Sequence, residues 1–140
     1  MNIRTCLRIL LFSVVMVGCS DGTSSSQSAF RQVGYLKDNA KNRIFTIAYK
    51  PGTTEQEVRS HAERSMHTQG QMMAAYFYPE GSVIPADGVT LAGSVFKAND
   101  VLFETPGLSK WRYAYMRHFR GTSEFVDCEK TPNSDLCRKK

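Results

Sequence analysis

The sequence predicts an α+β domain: a small three- to four-stranded sheet, in the order β-α-β then β, with one main helix packed on it and a C-terminal disulfide loop. Three observations support this fold class. They are runs of β-branched and aromatic residues, a capped helical segment between two of those runs, and two cysteines close together near the C-terminus. The chain has 140 residues, of which 41% are hydrophobic, and this is enough for one compact domain.

Two segments predict a pair of neighbouring strands. Residues 43–49 (RIFTIAY) are β-branched and aromatic, and the Lys-Pro-Gly sequence at 50–52 ends this strand. Residues 71–78 (QMMAAYFY) form a nearly continuous apolar run that ends at Pro-Glu-Gly, residues 79–81. Because the segment between them is helical, we expect two parallel strands joined by a right-handed crossover.

The predicted helix covers residues 53–70. Thr54 and Glu57 form a capping box, in which the hydroxyl of the first and the carboxylate of the second satisfy free backbone N–H groups. Gly70 is the expected C-cap. One narrow stripe at helical spacing should face the sheet, and it consists of Val58, Ala62, Ser65 and Met66.

A third strand is predicted at residues 111–119 (WRYAYMRHF). Its alternation places Trp111, Tyr113, Tyr115 and Phe119 on one face of the sheet. Residues 82–106 give a mixed pattern, which fits a short strand and one or two helical turns.

The first 18 residues have the composition of a secretory signal peptide. Arg4 and Arg8 supply two of the net +5 charges, and no acidic residue accompanies them. The apolar run that follows, residues 9–17, is nine residues long. A membrane-spanning helix needs about 20 residues, so this run suits the central region of a signal peptide.

The sequence Met16–Cys19 (MVGC) resembles the lipobox of bacterial lipoproteins, with Met where that family usually has Leu. The resemblance implies cleavage before Cys19, a diacylglycerol group on its sulfur and an acyl chain on the new amino terminus. Ser20 implies, by the same resemblance, export to the outer membrane, and we expect the domain to lie on its periplasmic side. The alternative is an ordinary cleaved signal peptide.

The chain therefore divides into a lipoprotein signal peptide at 1–18, the lipidated Cys19 with a flexible Ser-rich tether at 19–29, and a single α+β domain at 30–140. With Cys6 removed and Cys19 lipidated, Cys128 and Cys137 remain. An oxidising compartment and the turn-forming residues between them predict a disulfide. A metal site or redox pair is the alternative, but the spacing is not C-x-x-C.

No motif in the sequence predicts catalysis, a metal or a cofactor. His61 and His67 have no metal-ligand spacing, and no nucleophile elbow is present. We therefore expect a protein that is not an enzyme. An envelope hydrolase around His118 and Glu124 is a less favoured alternative, and a small-ligand carrier with an apolar cavity beside the sheet is a third. We expect no nucleic-acid partner, because the positive charges in the sequence do not form a basic stripe with interleaved aromatic residues.

Aromatic residues concentrate on two of the predicted strands, and two interpretations are open. They form an aromatic core, or one face stays exposed as a recognition surface, since Tyr, Trp and Arg are enriched at binding hot spots. The candidate patch in the second interpretation consists of Tyr76, Tyr78, Trp111, Arg112, Tyr113, Tyr115 and Arg117.

These observations together predict a membrane-anchored envelope lipoprotein that acts as a non-enzymatic binding or assembly accessory protein. Its expected partners are the membrane, through the N-terminal lipid, and a protein of the envelope. A plasmid- or phage-type exclusion or immunity lipoprotein is a specific variant of this prediction, although no residue selects it.

Overall fold

The computed structural model describes residues 28–65 and 67–137, and in it a five-stranded mixed sheet carries helices on both faces. The strands lie in the order of the chain, β1-β2-β3-β4-β5. Only β2 and β3 are parallel, and every other neighbouring pair is antiparallel. The elements are β1 Phe30–Lys37, β2 Arg43–Tyr49, α1 Glu55–Arg64, β3 Met73–Pro79, α2 Ala86–Leu91, α3 Val95–Glu104, β4 Tyr113–Arg117 and β5 Ser123–Asp127.

The predicted fold class was wrong in the number of strands and helices. In place of three to four strands and one main helix, the sheet has five strands and three short helices. The prediction missed β1, where a register shift between Gln32 and Gly34 breaks the alternation of side chains. It also missed β5, whose five residues include only Phe125 and Val126 as apolar side chains. The result is a sheet-dominant α+β fold.

In the β2–α1–β3 unit, the parallel pairing of the strands and the start of α1 agree with the prediction. The two strands pair in parallel, from Arg43 opposite Met73 to Tyr49 opposite Pro79. The capping box of α1 is confirmed, because the Thr54 hydroxyl accepts the Glu57 N–H at 3.3 Å and the Glu57 carboxylate accepts the Thr54 N–H at 2.7 Å.

The predicted end of α1 at Gly70 was wrong. The helix ends at Arg64, since Ser65 adopts an extended backbone with ψ 149° and its N–H donates to the Ala62 carbonyl at 3.1 Å. Of the predicted stripe, Val58 and Ala62 are fully buried. Met66 lies outside the described residues.

Each face of the sheet has its own core. The α1 face packs Val58 and Ala62 against side chains of the central strands, which are Phe45, Ile47, Tyr49, Met73, Ala75, Phe77, Tyr113 and Tyr115. The α2–α3 face packs Val89, Val95 and Leu102 against a second set, which includes Leu36, Ile44, Ala74, Tyr76, Tyr78 and Ala114. Because helices cover both faces, residues 44–49 and 73–78 are buried without interruption.

The predicted disulfide between Cys128 and Cys137 is confirmed, with Cα atoms 5.4 Å apart. The loop that it closes packs on Trp111, whose Nε1–H donates to the Leu136 carbonyl at 3.0 Å. The prediction that Trp111 shares a face with Tyr113 was wrong. Trp111 precedes the first residue of β4, so it is free of the strand alternation and packs on the α2–α3 face instead.

Among the described residues, no helix combines the length and the apolar composition that crossing a bilayer requires. The signal peptide at 1–18, Cys19 and the tether up to residue 27 lie outside the described residues. Strand β1 begins at Phe30, which is the first residue of the predicted domain.

His61 lies where β1 meets α1. Its ring stacks on Phe30 at a centroid distance of 4.1 Å and meets the edge of Phe77 at 6.1 Å. Burial, with a smaller contribution from Arg64, lowers the pKa of His61 below its usual 6.5. The folded state therefore favours the neutral imidazole.

This shift predicts acid sensitivity of the fold. The contribution of His61 to stability is complete above the unfolded-state pKa of about 6.5 and is lost as the pH falls through the lower pKa of the folded state. The wild-type protein should therefore lose unfolding free energy when the pH falls from neutral to below 6. We expect His61→Gln to lose less over the same pH range, and urea titration measures the difference. His118→Gln, which changes a histidine in the turn after β4, is the control. An unchanged pH dependence in His61→Gln contradicts the prediction.

Candidate functional site

The predicted aromatic patch is not one surface in the structure. Tyr76, Tyr78 and Trp111 are buried on the α2–α3 face, whereas Tyr113 and Tyr115 are buried on the α1 face. All five are at most 5% exposed. The exposed-surface interpretation was wrong, because helices pack on both faces of the sheet and cover these side chains. The aromatic residues form the core.

The buried tyrosine hydroxyls bind groups of the protein itself. The Tyr76 hydroxyl lies 3.2 Å from Asn99 Oδ1 on α3, and the Tyr78 hydroxyl donates to the Leu108 carbonyl at 3.2 Å. Burial raises the pKa of both hydroxyls well above their usual value. Burial also raises the pKa of Tyr49 to about 12, with a smaller effect from Tyr113. These groups are neutral at physiological pH and serve packing.

Arg112, another residue of the predicted patch, belongs to an ion-pair network at the end of the sheet where β2 and β3 finish. Its Nη2 lies 3.2 Å from the Glu129 carboxylate and 3.6 Å from Asp127 Oδ2. Lys130 lies 3.7 Å from the same Asp127 oxygen and also pairs with Glu55 at the start of α1. Because the cations and carboxylates of this network pair with one another, it ties the disulfide loop to the sheet and to α1.

A cavity of 570 Å³ lies beside this network, between the disulfide loop and the end of β3. Its charged lining includes Arg112 and Glu129, which already form an ion pair with each other. Trp111 and Pro132 contribute apolar walls. The lining also contains Ser109 and Lys110, and Lys110 takes part in none of the ion pairs among the described residues.

The opposite end of the sheet, where β2 and β3 begin, has a different character. Strand register places three cations side by side on the α1 face, and we call Lys37, Arg43 and Arg117 the basic row. Lys37 lies opposite Arg43, while Arg43 and Arg117 both lie opposite Met73. None of the ion pairs among the described residues involves the basic row.

The side chains of the basic row are incompletely satisfied. Arg43 Nη1 donates to Thr68 Oγ1 at 2.9 Å, but Nε of Arg43 and Nε of Arg117 are buried and have no hydrogen-bond partner among the residues that the structure describes. Like charges that face each other across a strand pair destabilise a sheet. The basic row is therefore the place in the described domain where charge is gathered and left unbalanced.

The sequence analysis included Arg117 in its patch but missed Lys37 and Arg43. These three residues are widely separated in the chain, and only the pairing of β1, β2, β3 and β4 brings them together. No local motif signals such a cluster. The alternation within residues 113–117 could have placed Arg117 on the α1 face, although not beside Arg43.

The remaining candidate residues are placed apart. His118 lies in the turn after β4, where its N–H donates to the Thr122 carbonyl at 2.8 Å. Glu124 is exposed on β5 and lies opposite Met116. Within residues 28–65 and 67–137, no group of three or more His, Cys, Asp or Glu side chains is arranged to hold a metal ion.

Comparison with known proteins gives no relative from which a role could be transferred to these residues. The chain matches no protein-family model, no curated protein and no solved structure.

Proposed function

We propose that the chain is an exported lipoprotein, anchored through lipid on Cys19 at the periplasmic side of the outer membrane, whose domain is a non-enzymatic binding or assembly accessory protein. The observation that supports export is the Cys128–Cys137 disulfide, because disulfides form and persist in oxidising compartments. The lipobox resemblance of Met16–Cys19 supports the anchor.

The start of the domain supports a proposal for which of its ends lies nearer the membrane. The Ala29 carbonyl accepts the Lys50 N–H at 3.0 Å, so the chain enters the domain beside the end of β2. The preceding tether of nine residues, 20–28, would span about 15–18 Å as a flexible coil. Lipid on Cys19 would therefore hold the end of the sheet with the ion-pair network close to the bilayer.

The distribution of charged groups supports binding over catalysis. At the membrane-proximal end, Arg112, Asp127, Glu129 and Lys130 pair with one another. At the other end of the sheet, the basic row carries only positive charges, and this suits recognition of a negatively charged group.

The experiment that tests the anchor compares two cysteine variants in a Gram-negative host. Cys19→Ser should abolish incorporation of labelled palmitate and move the protein from the membrane pellet to the soluble fraction or leave it unprocessed. Cys6→Ser is the matched control, because it changes a cysteine of the signal peptide that the resemblance does not lipidate. Equal palmitate labelling of both variants would overturn the proposed anchor.

A further inference from the structure

We propose that the basic row is a binding site for an oxyanion, a phosphate or carboxylate group, presented from the aqueous side away from the anchoring membrane. The site itself rests on the structure of the described domain. Only its orientation relative to the bilayer rests on the proposed function.

The register of the strands gives the site its geometry. Arg43 and Arg117 stand on either side of Met73 in one row across β2, β3 and β4. Neighbouring strands lie about 4.8 Å apart, so the two Cα atoms are about 10 Å apart. Met73 itself is covered by the core, so a ligand would meet the two guanidinium groups at the outer edge of the row, where Lys37 is exposed.

The surrounding charges do not neutralise the row. Asp38, the carboxylate next to Lys37 in the chain, accepts both the backbone and the side-chain N–H of Asn42 at 2.9 and 3.2 Å. The parallel crossover from β2 to β3 brings the C-terminal end of α1 to this end of the sheet, whereas Arg64 in its last turn lines a cleft with Gln32 and Ile47. A helix C-terminus carries about half a negative charge, which is too little to balance three cations.

The row lacks carboxylate partners. Nε of Arg43 and Nε of Arg117 are buried without a hydrogen-bond partner among the described residues, as is Nε of Arg112, but Arg112 has two carboxylates beside it and the row has none. Arginine presents a planar fork of N–H donors that matches the paired oxygens of a carboxylate or phosphate. Such a ligand would supply both the acceptors and the negative charge that the row lacks.

The position of the row excludes the headgroups of the anchoring membrane as the intended ligand. Phe30 and Lys37 are at opposite ends of β1, and seven steps along a strand cover about 23 Å. If lipid on Cys19 holds the Phe30 end near the bilayer, the basic row faces the aqueous compartment.

The test is a calorimetric titration of the full mature chain, purified from membranes in detergent, with inorganic phosphate and separately with acetate at constant ionic strength. We expect saturable binding of at least one of the two ions. The ion with the higher affinity shows whether the site prefers a phosphate or a carboxylate group. Arg43→Gln and Arg117→Gln should weaken binding by about tenfold, the order expected for loss of one charge-assisted contact. Lys37→Gln, an exposed change, should weaken it by a smaller factor.

Arg31→Gln is the matched control, since it removes the same charge from an exposed position of β1 at the opposite end of the sheet. It should change the affinity less than twofold. The proposal is overturned if neither ion binds saturably, or if Arg31→Gln weakens binding as much as the row variants, which would indicate attraction by net charge alone. Both results are independent of lipidation, so they are distinguishable from failure of the proposed anchor.

A vesicle experiment tests the orientation. The lipidated chain is reconstituted in zwitterionic vesicles and in vesicles that contain anionic lipid, and phosphate is titrated into each. Equal affinities support a row that faces away from the bilayer. Loss of phosphate binding in the anionic vesicles would show that headgroups occupy the row and would overturn the orientation.

Discussion

Replacing Gly34 by alanine is expected to lower the free energy of unfolding by about 2 kcal/mol, in the range typical of overpacking a core. Gly34 lies on β1 where that strand passes under α2. A Cβ atom at this position would lie 2.4 Å from Thr46 Oγ1, and 3.3 Å from both the Pro85 carbonyl oxygen and Val89 Cβ. The Pro85 and Val89 atoms belong to the start and the middle of α2. To remove the steric clash with them, β1 and α2 must move apart. Urea unfolding followed by circular dichroism measures the loss.

Gly93→Ala is the matched control for this change. A Cβ on Gly93 meets nothing within 4 Å, so alanine there should leave the unfolding free energy nearly unchanged. The clash account would be contradicted by equal effects at Gly34 and Gly93. A double-mutant cycle with Thr46→Ala refines the test. Removing the hydroxyl at 2.4 Å should reduce the cost of Gly34→Ala, while the contacts with Pro85 and Val89 keep part of it.

Removing the disulfide by Cys128→Ala with Cys137→Ala is expected to lower the unfolding free energy by about 2–3 kcal/mol, the loop-closure value for a ten-residue loop. A second effect should accompany it. Leu136 and Cys137 are buried against Trp111, the only tryptophan in the chain. Release of the loop exposes the indole and removes the hydrogen bond from Nε1 to the Leu136 carbonyl, so the fluorescence emission should shift to longer wavelength.

Chemical reduction of the wild-type protein should reproduce both effects, whereas the same reductant should leave the double alanine variant unchanged. If reduction alters neither the stability nor the emission of the wild type, the loop does not depend on the disulfide for its packing. Free thiols at both positions in the exported protein would also argue against the oxidising compartment on which the proposed location rests.

Elements with local signals were the ones that the sequence predicted well. Strand β2 was predicted at residues 43–49 and is observed with those bounds, because β-branched and aromatic residues fill it and Pro51-Gly52 stops it. The start of α1 was predicted because a capping box satisfies backbone groups within a few residues of itself. The disulfide was predicted because only Cys128 and Cys137 remained for pairing in the mature domain.

Features set by tertiary contacts were missed. Gly70 is a turn glycine with φ +76°, and the sequence cannot tell such a turn from the end of α1, which comes earlier at Arg64. The burial of Tyr76 and Tyr78 depends on α2 and α3, a region for which the sequence predicted only a short strand and one or two helical turns. The basic row depends on strand order, since register alone makes Lys37, Arg43 and Arg117 neighbours.

The central claim is that this domain is held in the envelope by lipid on Cys19. Mass spectrometry of the N-terminal peptide of the exported protein tests it most directly. The account predicts a peptide that begins at Cys19 and carries diacylglycerol on its sulfur and an acyl chain on its amino group. An exported protein whose N-terminus lies elsewhere, or whose Cys19 is an unmodified thiol, would contradict the account.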